Sequence, residues 1–142
     1  MRWLLLDEVI EIQKGSSAKT RSRVPDAEVS AEVLLIEMMA QTGGLLVGAE
    51  NDYKDDVIFA KIETASFPLT GVPGEKIEIK AVSEQCRPEG SWIEAVVESP
   101  RGVLAAAKLM LVHAGALVPG KKASTTFHEA FMNHFKIREK VR

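Results

Sequence analysis

The segment that most constrains the fold is a long apolar stretch, residues 30–49, which reads SAEVLLIEMMAQTGGLLVGA. Ser30 is a favourable helix N-cap, and Glu32 places negative charge in the first turn, where the helix dipole favours it. Apolar side chains then continue nearly all the way round the predicted helix, a pattern typical of a helix that is buried on all sides. Gly43 and Gly44 either weaken its middle or permit another chain segment to approach the backbone closely. Such a helix requires other secondary structure to enclose it.

Strand patterns lie on both sides of this helix. Residues 76–81 (KIEIKA) alternate with a period of two, which predicts one buried and one solvated face. Residues 103–112 are more uniformly apolar, as expected of a central strand, and Pro-Gly turn signals separate the later strands. Two strands are predicted before the helix and four after it, at residues 3–12, 18–24, 57–67, 75–85, 92–99 and 103–113.

The order of two strands, one buried helix and four strands predicts an α+β domain. A single curved antiparallel sheet of about six strands, wrapped around one long central helix, is the economical way to bury that helix. This is the hotdog arrangement, and we assign it to residues 1–116. Because subunits of the hotdog fold usually act in pairs, we expect at least a dimer, in which strands such as 103–112 could pair across the interface.

Residues 117–142 are predicted to form a C-terminal extension with an amphipathic helix. Phe127, Phe131 and Phe135 recur every four residues, and residues 124–126 (STT) offer a capping region. The stripe either packs against the sheet or a neighbouring subunit, or serves as a docking helix for a carrier or regulatory protein.

Composition excludes several classes of partner. The 142-residue chain has a net charge of -2, which gives no long-range field to attract a nucleic-acid backbone. Its one cysteine, Cys86, excludes an intrachain disulfide and a cysteine-based metal cage, and the three histidines are not grouped as metal ligands. The N-terminal apolar run is too short to span a membrane or to serve as a signal segment. We therefore expect a cytoplasmic protein without metal or cofactor.

The polar side chains of the buried helix are the candidates for chemistry. Glu37 and Gln41 are four residues apart, so they lie on one helix face, and Gly44 continues the row. A carboxylate among apolar neighbours is costly to bury without a purpose or a partner. Desolvation there favours the neutral acid and would make Glu37 usable as a general acid or base. Alternatively, the glutamate is a structural group that bonds to Gln41 or to a strand backbone.

The same helix carries a resemblance to a known family. Residues 33–41 (VLLIEMMAQ) resemble the helix motif of the β-hydroxyacyl-acyl carrier protein dehydratases, which have the hotdog fold. Weaker matches follow in the correct order within residues 3–113. They are residues 4–9 for the first strand, 60–67 and 72–75 for a Phe and Pro-Gly-acid passage, and 105–109 for the final strand.

The resemblance implies elimination of water from a 3-hydroxyacyl thioester. In that family a histidine of an H-F-P-G motif removes the α-proton, and the helix glutamate helps expel the β-hydroxyl. Here an ungapped count places Arg23 at the histidine, and arginine cannot act as a general base. An equally good alignment with a deletion before the helix removes the motif altogether. The family glycine at the helix start, whose amide polarises the thioester carbonyl, becomes Glu32. His113, at the end of the last strand, could approach a neighbouring subunit's helix.

Three functions follow from these observations. The first is a dehydratase-like lyase of fatty acid or related lipid biosynthesis, the second a non-catalytic acyl-binding subunit, and the third a thioesterase in which Glu37 and Gln41 direct water. The expected partners are an acyl carrier protein or coenzyme A thioester and a second copy of the chain, in a homodimer or higher homo-oligomer. Glu37 and Gln41 are the predicted catalytic residues. The predicted substrate-binding residues are Val33, Met38 and Gly44, with Met39 and Leu46 as further candidates for lining an acyl tunnel.

Overall fold

A computed structural model of the chain describes residues 5–117 and 126–142. The predicted order of two strands, a helix and four strands is confirmed, with boundaries that shift by a few residues. The first strand begins at Glu8, and its predicted start at residue 3 lies outside the described residues. The strands are β1 (Glu8–Gln13), β2 (Ser17–Arg23), β3 (Val57–Ser66), β4 (Lys76–Arg87), β5 (Gly90–Ser99) and β6 (Gly102–His113), and the long helix α1 is Ala31–Ala49.

All six strands form one antiparallel sheet in the order β1-β2-β4-β5-β6-β3. The helix α1 packs against the sheet and contacts every strand, so the chain has the predicted α+β hotdog fold. β6 lies inside the sheet between β5 and β3, as its uniformly apolar sequence predicted. Both edges of β6 are thus paired within the chain. The expectation that residues 103–112 pair across a subunit interface is therefore wrong. The edge strands of the sheet are β1 and β3.

The sheet encloses α1 from its second turn onward. Met38, Met39 and Leu46 are completely buried, whereas Val33 in the first turn is 53% exposed. Ser30 caps the helix as predicted, since its Oγ accepts a hydrogen bond from the amide of Val33 at 3.4 Å. By length and composition α1 also resembles a membrane span, but 67% of its most apolar window is buried inside this chain. Core helices of soluble proteins share that composition.

One buried polar contact fixes α1 on the sheet. The hydroxyl of Thr42 donates to the carbonyl of Met38 at 2.9 Å, and its oxygen lies 2.8 Å from Oγ1 of Thr20 on β2. Because the single proton of Thr42 is already used, Thr20 is the donor between the two hydroxyls. Both threonines are fully buried, so this pairing satisfies groups that would otherwise be costly to enclose.

The C-terminal segment differs from its prediction. One amphipathic helix was expected, but the part of the segment that the structure describes contains short helices: α2 (Ala114–Leu117), α3 (Glu129–His134) and α4 (Ile137–Lys140). His128 caps α3, because its ring accepts the amide hydrogen of Phe131 at 3.2 Å. Lys136 has a φ of 52°, a left-handed conformation that separates α3 from α4. Residues 124 and 125 lie outside the described residues.

Even so, the phenylalanine stripe packs inward. Phe127 and Phe135 are buried together with Met132 and Ile137 of the same segment. The chain end then reaches β1, where the amide of Arg142 donates to the carbonyl of Ile12 at 2.7 Å. The segment therefore shares the core of the hotdog domain along its whole described length.

The two adjacent glycines of α1 face different surroundings. A Cβ on Gly43 would lie 2.7 Å from a terminal methyl of Leu111 and 3.3 Å from Ile93, whereas a Cβ on Gly44 would meet nothing within 4 Å. Gly43 thus permits the close approach of helix and sheet, which is one of the two alternatives that the sequence left open. Gly44 faces open space.

This difference predicts opposite behaviour of two alanine variants. Both variants gain the same helix propensity, so their free energies of unfolding differ only by the overpacking at residue 43. We expect Gly43→Ala to be less stable than Gly44→Ala by about 1–3 kcal/mol. Urea denaturation followed by circular dichroism measures the difference, and equal stabilities would show that the sheet does not constrain Gly43.

Candidate functional site

A cleft lies between α1, β3 and the C-terminal segment. Its cavity volume is about 200 Å³. This is smaller than the roughly 300–1,000 Å³ of a typical small-molecule site, and the cleft is partly open to solvent. The helix contributes polar groups on one side, and apolar side chains form most of the remaining wall. Its lining residues are Leu6, Glu37, Ala40, Gln41, Gly44, Leu45, Val57, Phe59, Leu111, Thr126, Phe127 and Phe131.

Glu37 and Gln41 meet in this cleft as their spacing predicted. Nε2 of Gln41 donates to Oε1 of Glu37 at 3.4 Å, and Oε1 of Gln41 accepts the backbone amide of Leu5 at 3.1 Å. Since the Leu5 amide can only donate, it fixes the amide group of Gln41 with its nitrogen toward Glu37. Among the described residues the Glu37 carboxylate makes no ion pair. The cleft therefore contains a half-buried carboxylate that Gln41 holds in place.

The structure brings together three of the five predicted site residues. Gly44 joins Glu37 and Gln41 in the cleft lining, while Val33 and Met38 do not line it. Val33 projects from the exposed first turn, and Met38 is completely buried in the core, so their predicted contact with substrate lacks geometric support in this chain. Met39 and Leu46 also pack in the core.

Sequence reasoning missed the rest of the lining. Phe127 and Phe131 were recognised as an apolar stripe but were assigned only to packing or docking, and nothing in the residue pattern linked them to Glu37. Leu6 and Phe59 come from strand-like segments whose side-chain direction depends on the sheet. The sequence signal for these lining residues was the stripe of phenylalanines that follows the predicted hotdog domain.

None of the three histidines lies in the lining of this cleft. His128 and His134 are exposed on the C-terminal segment, where His128 caps α3. His113 pairs with Asn51 beyond the C-terminal end of α1, about 20 Å along the helix axis from Glu37 by helical rise. Arg23 is exposed, and its guanidinium donates to the carbonyl of Gly74 at 3.2 Å. Among the lining residues that the structure describes, Glu37 is thus the titratable group.

His113 is a buried histidine held in one tautomer. Its Nδ1 lies 3.4 Å from Nδ2 of Asn51, which can only donate, so neutral His113 carries its proton on Nε2. Burial lowers the pKa of His113, while the nearby carboxylates of Asp55 and Glu50 partly oppose this shift. The ring therefore favours its neutral form in the folded protein.

Comparison with known proteins confirms the resemblance inferred from the helix motif. No protein-family model matches the chain. The 3-hydroxyacyl-[acyl-carrier-protein] dehydratase FabZ of Agrobacterium fabrum is 32% identical over 97 residues, which cover 60% of this chain and 63% of that protein. The match thus spans just under two thirds of that relative. FabZ of Roseobacter denitrificans is 29% identical over 119 residues, covering 73% of this chain and 78% of that protein.

Solved structures support the fold independently. The smu.793 protein of Streptococcus mutans, determined with bound acetyl CoA, superposes with a TM-score of 0.66 at 12% identity, covering 80% of this chain and 93% of that one. At this identity the similarity establishes the shared hotdog fold and nothing more.

The pKa of His113 gives a testable pH dependence. As pH falls below the ordinary histidine value of 6.5, the unfolded chain takes up a proton that folded His113 resists. This contribution to stability is therefore present above pH 6.5 and is lost as pH falls through that value toward the lower pKa of the folded state. We expect the unfolding free energy of the wild type to decrease more between pH 7.5 and 5.5 than that of His113→Asn.

Urea denaturation at a series of pH values tests this prediction. The two proteins are compared by the slope of the free energy of unfolding against pH. Their absolute stabilities also differ, because the variant loses the contact with Asn51 at every pH. Parallel slopes for the two proteins would contradict a lowered pKa of His113.

Proposed function

We propose that this hotdog-fold relative of the 3-hydroxyacyl-acyl carrier protein dehydratases eliminates water from 3-hydroxyacyl thioesters in fatty acid or related lipid biosynthesis. The observation that carries the proposal is the position of Glu37 in an apolar cleft, oriented by Gln41, on the helix that matches the dehydratase motif. The proposed substrate is carried by acyl carrier protein or coenzyme A, and the proposed location is the cytoplasm.

The chemistry requires a base and an acid, and we assign both roles to Glu37. As a carboxylate it removes the α-proton, and the C–H electrons form the new double bond. The β-carbon–oxygen bond breaks, and Glu37 returns the same proton to the departing oxygen, which leaves as water. Glu37 ends the cycle as a carboxylate, so proton and charge balance without a histidine. Gln41 is a positioning residue, since its amide holds the carboxylate through one hydrogen bond.

A second candidate is hydrolysis of an acyl thioester. It is favoured by one observation, namely that no histidine lines the cleft among residues 5–117 and 126–142. In this reaction Glu37 accepts a proton from water as the water oxygen bonds to the thioester carbonyl carbon. The carbon–sulfur bond then breaks, and Glu37 returns the proton to the sulfur, so the products are a carboxylic acid and a free thiol. The products distinguish the two reactions, because elimination leaves the thioester intact whereas hydrolysis releases a free thiol.

We also propose that the chain forms a homodimer through β3. This strand is at the edge of the sheet, and its residues from Ala60 to Ser66 are exposed. An exposed edge strand offers unpaired backbone groups to a second chain. Val57 and Phe59 of β3 line the cleft, so a second subunit at this edge would lie next to Glu37.

The proposed reaction predicts how variants of Glu37 and Gln41 behave. We expect Glu37→Gln to reduce kcat for formation of the enoyl thioester from 3-hydroxyacyl substrates by at least about 100-fold, the lower range for loss of a general acid or base. Gln41→Leu, which keeps the volume but removes the hydrogen bond, should give a smaller loss in kcat. Enoyl absorbance and thiol release are followed in parallel.

Glu98→Gln is the matched control, because Glu98 is exposed on β5 away from the cleft. Its activity should equal that of the wild type. Thiol release that depends on Glu37 without enoyl formation would replace elimination by hydrolysis. Acyl binding without turnover of any substrate would indicate a non-catalytic acyl-binding subunit.

The proposed interface at β3 predicts the oligomeric state of the protein. Light scattering should give twice the 15.5 kDa chain mass for the wild type. Ile62→Glu on β3 should give the monomer, because it places a carboxylate at the proposed interface, where it would be costly to bury without a partner. Val82→Glu on the inner strand β4 alters a residue of similar exposure, 40% against 43%, and should remain dimeric. A dimeric Ile62→Glu variant would argue against an interface at β3.

A further inference from the structure

Two glycines one helical turn apart form a shallow groove along the cleft face of α1. Gly44 and Gly48 lie at spacing i and i+4, so they are aligned on the same face as Gln41. A Cβ on Gly48 would lie 2.8 Å from the ring of Tyr53 and 3.0 Å from that of Phe127, whereas a Cβ on Gly44 would meet no atom of residues 5–117 or 126–142 within 4 Å. Aromatic rings therefore fill one end of the groove, and the other end opens into the cleft beside Glu37.

Phe127 is held firmly at this filled end. Its ring packs edge-on against Tyr53 with centroids 4.9 Å apart and against Phe131 at 5.7 Å. The hydroxyl of Tyr53 donates to the carbonyl of Leu45 at 2.8 Å, which ties this ring to α1. Directly before Phe127, the amide of Thr126 donates to the carboxylate of Asp56 at 2.8 Å. The ring is thus fixed against both the helix and the loop after it.

We infer that Phe127 forms the far wall of an acyl chamber and that Gly44 forms its floor, so that the C-terminal segment of this chain sets the longest acyl group accepted. The inference rests on the proposed function and extends it to the substrate class. Glu37 and Gly48 are separated by about 16 Å along the helix axis, and Phe127 occupies the last turn of that distance. The chamber consequently suits short and medium unbranched acyl chains, and long chains meet the Phe127 ring.

The open space at Gly44 argues against a purely structural role for this segment. A segment selected only for packing would leave no room for a methyl group beside its own buried rings, since protein interiors are close-packed. Here the unfilled volume lies between the carboxylate of Glu37 and the ring of Phe127, and its walls are apolar. That arrangement matches an alkyl chain whose reactive end lies at Glu37.

Two variants change the chamber in opposite directions. Phe127→Ala removes the far wall, and we expect binding of dodecanoyl and palmitoyl thioesters to strengthen by about tenfold or more relative to butyryl, as several newly buried methylenes would give. Gly44→Leu fills the floor, and we expect octanoyl and longer chains to weaken by a similar factor while butyryl binding changes little. Calorimetric titration with non-hydrolysable acyl-pantetheine thioethers measures affinity without turnover.

Asn133→Ala is the control, because Asn133 is exposed on α3 and does not line the cleft. Its length preference should equal that of the wild type. Gly44→Leu keeps the test decisive if Phe127→Ala does not fold. An equal change in affinity for all chain lengths, or none for either variant, would overturn the inference. Because binding is measured, the inference can succeed even if Glu37→Gln shows that the proposed reaction is wrong.

Discussion

The close approach of α1 to the sheet is the constraint on which the rest of the structure depends. Gly43 brings the helix backbone against Leu111 of β6 and Ile93 of β5, closer than any side chain would permit. With the helix held there, the side chains of Met38, Met39 and Leu46 are completely buried. Thr20 and Thr42 satisfy each other's buried hydroxyls. The rotation of the helix about its axis, fixed by this contact, also determines which of its residues face away from the sheet.

The face to one side of this contact remains incompletely covered. Adjacent helix residues are about 100° apart, so Gly44 points sideways along the sheet when Gly43 points toward it. Glu37 and Gln41 share the direction of Gly44, and β3 is too near the sheet edge to cover them. The C-terminal segment supplies the missing cover with Phe127 and Phe131. The cleft therefore results from a helix that has one packed face and one partly open face.

The hotdog domain could be predicted because its signals are local and repeated. Alternation identified the strands, and the apolar circumference of residues 33–49 identified the enclosed helix. The separate roles of Gly43 and Gly44 could not be predicted, since they depend on the rotation of the helix about its axis. The same rotation explains why Val33 and Met38, which were predicted to bind substrate, do not line the cleft with Gln41. The break at Lys136 was missed because the Phe127–Phe131–Phe135 stripe continues the helical period through residues that are not helical.

The position of the carboxylate bears on how such a site can function without a histidine. A carboxylate in a partly apolar cleft needs one fixed hydrogen bond to keep its orientation, and Gln41 supplies it while it is itself anchored by the backbone of Leu5. His113 cannot replace the missing base within the subunit, because it lies at the far end of α1 and is paired with Asn51. A single group that takes up and returns one proton needs no second base, provided that the α-proton and the β-hydroxyl face the same carboxylate. For the proposed elimination, the requirement is therefore not the identity of a second residue but the placement of the acyl chain relative to Glu37.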